Sequence, residues 1–104
     1  MATTLTPTEA RALDQAEREL DDRARQPALS RLADAELRDL IDALRNRRDR
    51  ARDIGNRQRR EARGKAAPQG STPAARNDGT RGKEQILAAA LRRAMAERSK
   101  RQSA

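Results

Sequence analysis

The sequence predicts an all-α fold, and three observations carry that prediction. Apolar residues recur at helical spacing in three separate stretches, helix-start residues stand ahead of each, and no stretch alternates polar and apolar residues with the period of a strand. The expected architecture is an N-terminal helical hairpin with a long basic second helix (residues 1–63), a flexible linker (64–81) and a C-terminal amphipathic basic helix with its tail (82–104).

The first helix is expected over 7–25. Thr6 stands at its N-cap, Pro7 at the first helical position and Glu9 three residues after the cap, the pattern of a capping box with a favoured proline. Leu13, Ala16, Leu20 and Ala24 then share one side, and Gln26-Pro27 ends the run because a residue before proline avoids the α region.

The second helix is expected over 34–63, with Ser30 or Asp34 as its cap. Leu37, Leu40, Ile41 and Leu44 make a dense apolar stripe, which continues on the helical wheel through Ala51, Gly55 and Ala62. Small residues there permit close approach of another helix but contribute little burial, and Gly55-Asn56 is a weak point where the helix is expected to bend. Residues 64–81 hold two Pro, three Gly and no large apolar side chain, so nothing in them offsets the entropy of ordering. Thr80 is the expected cap of a third helix over 82–98, whose apolar face is Ile86, Leu87, Ala90, Leu91, Ala94 and Met95.

Composition narrows the function classes. The chain of 104 residues carries 24 Lys and Arg against 16 Asp and Glu, a formal charge of +8, and 21 of the cations are Arg. Charge is unevenly spread: residues 1–44 are net −4, 45–65 are net +7 and 66–104 are net +5. Such a balance speaks to partners and solubility rather than to fold. Cys and His are both absent, which excludes disulfides, thiolate chemistry and Cys or His metal sites. General-base or nucleophilic work would fall on Asp, Glu, Ser or Lys, and the carboxylates are expected on wet helix faces. Gly64-Lys65 lacks the spaced glycines and the following Ser or Thr of a phosphate-binding loop. The chain is therefore expected to be no enzyme and to take no cofactor and no metal. Its first residues have no basic start followed by an apolar run, and no apolar run approaches the ~20 residues that span a bilayer, so the expected compartment is the cytoplasm.

The most informative stretch is Arg45 to Lys65. At about 100° per residue, Arg45, Arg48, Arg52, Arg59, Arg60 and Arg63 fall on one side of a helix. Three acids in this segment cannot absorb ten cations. The candidate nucleic-acid-binding residues are those six with Lys65, and Arg92 and Arg93 form a secondary group. Neutralising several phosphates would give binding that weakens steeply with salt. The plainer reading makes these arginines a solvated face.

Absence of Phe, Tyr and Trp argues against single-strand binders that stack bases on rings. The order of leucine seam and basic region is the reverse of that in basic leucine zippers, and no turn separates a recognition helix. The expected partner is thus DNA or RNA, held by its backbone with little sequence preference. An adaptor that dimerises or grips an acidic protein is the alternative, and a membrane surface ranks below both. In composition alone, the Arg-rich helix and Ala-rich tail resemble small bacterial nucleoid- or ribosome-associated proteins.

Leu13, Leu20, Leu37, Ile41, Leu44, Ile86, Leu87, Leu91 and Met95 are the expected core or interaction face. The faces of the first two helices can close on each other, while Ile86 to Met95 docks either on them or on a partner. The acidic N-terminal segment is also a candidate to fold back on the basic ridge and weaken its binding.

Overall fold

A computed structural model describes residues 5–64 and 72–103. These form five helices: α1 (Pro7–Ala12), α2 (Gln15–Arg23), α3 (Ala28–Arg31), α4 (Asp34–Gly64) and α5 (Thr72–Ser103). No strand occurs among the described residues, and the fold is all-α.

The segment expected as one helix over 7–25 is two. Thr6 and Glu9 close the expected capping box, with Glu9 N donating to Thr6 Oγ1 at 3.2 Å and Thr6 N donating to Glu9 Oε1 at 2.9 Å. A second box follows at once: Glu17 N donates to Asp14 Oδ1 at 2.8 Å and Asp14 N to Glu17 Oε1 at 2.9 Å. Asp14 therefore starts a new helix, and Leu13 before it is extended. This break resets the phase of α2. Its inward residues are Glu17, Asp21 and Ala24, whereas Ala16 is exposed and Leu20 is half-buried. The expectation that the carboxylates of this region sit on wet faces is corrected at Glu17 and Asp21, which α2 turns inward to meet Arg47, Lys83 and Arg93.

Gln26-Pro27 is a cis peptide and leads into the single turn of α3, which contains Ser30. The start of α4 is closed instead by Glu36, whose Oε1 accepts from Ala33 N at 2.9 Å, so Asp34 is the first helical residue rather than the cap. α4 continues through Gly55, which is buried, to Gly64. Its 31 residues make a rod about 46 Å long at 1.5 Å per residue.

Of the residues read as a linker, 65–71 lie outside the described residues and 72–81 belong to α5. Pro73 falls in the first turn of α5, where its missing N–H breaks no helical hydrogen bond. α5 runs antiparallel to α4: Arg101 meets Asp34 at one end, and Arg52 meets Glu84 further along. This pair makes the most extensive contact of the fold, and α1 to α3 pack across it.

The core is one cluster. Leu13, Ala24 and Leu29 come from the N-terminal segment, Leu37, Leu40, Ile41 and Leu44 from α4, and Leu87, Ala90, Leu91 and Ala94 from α5. Leu5, Leu20, Leu32, Ile86 and Met95 are partly buried against it. The apolar face of α5 thus closes on the rest of the chain. All of this burial lies in the first half of α4 and its surroundings.

Candidate nucleic-acid interface

The basic ridge is a property of α4 alone, since one continuous helix sets the spacing of its arginines. The core side of the helix carries Leu37, Leu44 and Ala51; the ridge is centred about 90° round from it, with Arg48 nearest the core side and Arg60 farthest. Arg45 and Arg48 are half-buried at the edge of that seam, and Arg48 donates from Nε and Nη2 to Asp49 Oδ1 at 3.0 and 2.8 Å. Arg52 is exposed and donates from Nε to Glu84 Oε1 at 3.2 Å. Arg59 is half-buried and donates to the side-chain oxygen of Asn56. Arg60 and Arg63 are exposed, and neither is ion-paired with a described residue. Lys65 lies outside the described residues. From Arg45 to Arg63 the ridge is about 27 Å long at the rise of an α-helix.

The secondary pair divides. Arg92 is exposed. Arg93 points into the fold, where Nε donates to Ala24 O at 2.8 Å and Nη2 meets Asp21 Oδ1 at 2.9 Å. Its neighbour Arg92 has the charge without that task. Of the apolar residues singled out in the sequence, Leu13, Leu37, Ile41, Leu44, Leu87 and Leu91 are buried, and Leu20, Ile86 and Met95 pack against them.

Sequence reasoning missed an ion-pair system that fastens α2 and its cap onto the α4/α5 pair. Glu17 is 4 % exposed and lies 3.1 Å from Lys83 Nζ and 3.7 Å from Arg47 Nη1. Asp21 is fully buried, between Arg25 Nε at 2.8 Å and Arg93. Glu97 takes Arg101 Nε at 2.9 Å and the Gln26 amide at 3.4 Å. Asp14-x-x-Glu17 and the i,i+4 pairs Asp21–Arg25 and Glu97–Arg101 were the available signals. Among the described ion pairs, the carboxylates of residues 5–33 reach Arg25, Arg47, Lys83 and Arg93, and none reaches the ridge.

Hydrogen bonds set the titration of several of these groups. The Glu17 backbone N–H holds the Asp14 carboxyl below its ordinary range, aided by Arg47 and Lys83. The Thr6 N–H does the same for Glu9, and Arg101 does it for Glu97. In return Glu97, and then Asp34, raise the Arg101 guanidinium.

No cluster of three or more Asp or Glu among the described residues is arranged to hold a metal ion. Among them, no helix is long and apolar enough to cross a membrane. Comparison of the chain with protein-family models, curated proteins and solved structures returned no match.

Proposed function

We propose that the protein binds nucleic acid through the phosphate backbone, with little sequence preference, along the arginine ridge of α4. One observation carries this reading. Beyond Ala51 the helix has left the apolar core behind, yet residues 52–63 carry Arg52, Arg57, Arg59, Arg60 and Arg63 against only Asp53 and Glu61. Arg52 meets Glu84, but Arg59, Arg60 and Arg63 have no carboxylate partner among the described residues, and such a row of guanidinium forks on a rigid rod suits a line of phosphates. The described carboxylates of the N-terminal segment pair with other cations and so do not neutralise the ridge.

The competing reading is an adaptor for an acidic protein. It draws on the same charge, but the apolar stripe it would use for a homodimer is occupied by the core. Ile54, 37 % exposed, is the one large apolar side chain exposed among the described residues.

The test is titration of nuclease-treated protein into labelled duplex DNA and structured RNA at low and physiological salt. Binding is expected to weaken steeply with salt. Arg45→Gln, Arg48→Gln, Arg52→Gln and Arg59→Gln combined should flatten the slope by about 0.9 for each phosphate no longer neutralised. A slope unchanged in that variant would place the binding surface elsewhere. No binding at low salt would discard the reading in favour of the acidic-protein partner.

A further inference from the structure

At the far end of the molecule from the distal ridge, Asp34, Leu37 and Arg38 of α4 and Arg98, Arg101 and Gln102 of α5 line a cavity of about 350 Å³. The geometry points to a binding site for a small phosphate-bearing anion. This proposal does not rest on the ridge reading, because none of its residues belongs to the ridge.

The three arginines have different duties. Arg101 is fixed: Nε meets Glu97 at 2.9 Å, Nη1 meets Asp34 at 2.8 Å, and Nη2 donates to the carbonyls of Leu29 and Ser30, both at 3.3 Å. It builds a wall of the cavity, and its charge is met by Glu97. Arg38 is exposed and Arg98 half-buried, and neither is ion-paired with a described residue. Two arginines that line one concavity without a carboxylate partner among the described residues bring two guanidinium forks to it, and such forks can donate in parallel to the oxygens of a phosphate as a lysine cannot. Gln102, also in the lining, carries an amide that can donate, and the buried Leu37 lines the cavity without a competing polar group. The volume is at the low end of small-ligand sites, roughly 300–1,000 Å³, and therefore fits a compact anion better than an extended one. Asp34 is the one carboxylate in the lining, and its side chain is 86 % exposed. It opposes an incoming anion, which makes it a useful reporter.

The experiment is titration with inorganic phosphate against chloride at matched ionic strength, followed by NMR of the arginine Nε–H groups and by calorimetry. Saturable shifts at Arg38 and Arg98 are expected. Arg38→Gln and Arg98→Gln should each weaken phosphate binding about tenfold, as expected for removal of one charge-assisted hydrogen-bonding fork. Asp34→Asn should tighten it. Opposite signs at Arg98 and Asp34 separate a binding role from general damage to the fold, which would weaken binding in both.

Phosphate shifts confined to Arg45–Arg63, or equal affinity in all three variants, would overturn the site. Displacement of phosphate by a 5′-phosphorylated oligonucleotide, but not by its 5′-hydroxyl form, would support the site and assign it to a terminal phosphate. Displacement by neither would support it as a site for a free phosphate compound. Equal displacement by both would overturn it, since the cavity would then be one more patch of backbone-binding surface.

Discussion

The two halves of α4 have the same backbone and the same helical period, yet different physics holds them in place. From Leu37 to Ala51 the inward stripe is Leu37, Leu40, Ile41, Leu44 and Ala51, each no more than 3 % exposed. From Arg52 to Arg63 the continuation of that stripe is Gly55, Gln58 and Ala62, of which only Gly55 is buried. Each large side chain in the first half contributes roughly 1.5–3 kcal/mol by leaving water, and the second half has no counterpart. Its helix relies on intrinsic propensity, on the exposed Arg52–Glu84 pair, on close packing at the buried Gly55 and on continuity with the anchored half. Stability and the distal part of the proposed binding charge, Arg52, Arg59, Arg60 and Arg63, are therefore separated along one helix, and these arginines can change with little cost to folding.

The sharpest way to break that comparison is to remove the same kind of side chain from each half. Leu44→Ala, at a position with no exposure, should cost about 2–5 kcal/mol, whereas Ile54→Ala at 37 % exposure should cost about 1 kcal/mol or less. Urea unfolding followed by helical circular dichroism reads both. Equal destabilisation would mean that the distal half is packed in solution as firmly as the first.

Charge offers the next contrast. Asp21→Asn keeps the shape but removes the anion between Arg25 and Arg93, whose side chains are 18 % and 34 % exposed. Breaking a buried pair costs about 3–5 kcal/mol, and water contact at both arginines puts the expected effect near the bottom of that range. Glu61→Gln, on the exposed distal half, should be close to neutral. A neutral Asp21→Asn would show that the ion pairs do not fasten the N-terminal segment.

Acid should act on the same end. Asp14, Glu9 and Glu97 have carboxyls held below their ordinary values in the fold, chiefly by the N–H groups of Glu17 and Thr6 and by Arg101 respectively. A depressed folded value contributes stability above the unfolded value, and that contribution disappears as pH falls through the folded one. The melting temperature should be nearly flat above about pH 5 and fall below about pH 4, where ordinary carboxylates titrate. A melting temperature constant down to about pH 2 would remove these carboxylates from the account of stability.

The same contrast explains how much of the fold is legible in the residues alone. α4 is readable over almost its full length because Leu37 to Leu44 state the period densely and no proline interrupts it. The break at Leu13-Asp14 is written in Asp14-x-x-Glu17, but Leu13, Ala16 and Leu20 continue the period of α1 across it and favour the longer helix. Burial of Glu17 and Asp21 is not readable locally. It depends on Arg47, Lys83 and Arg93, which only the closed fold brings beside them. Arg92 and Arg93 make the point most simply: adjacent in sequence, one is exposed and the other is engaged by Asp21 and the carbonyl of Ala24. The ridge, in contrast, is fully visible as a pattern, since its spacing needs nothing but a continuous helix.

The smallest effect lies where the two regions meet. Gly82 is in α5, two residues before the Glu84 that pairs with Arg52, and flanks a cavity shared with Thr8, Ala12 and Ile86. A methyl group added there would meet nothing within 4 Å. Gly82→Ala therefore adds helix propensity and restricts the unfolded chain without a clash, and should stabilise the protein by about 0.5–1 kcal/mol. Because α5 must be helical at this point for the gain to appear, the sign of the change reports how far the ordered pairing of α4 and α5 extends beyond the apolar core. A gain places Gly82 inside the cooperative unit; no gain ends that unit at Ile86, where the apolar face of α5 begins.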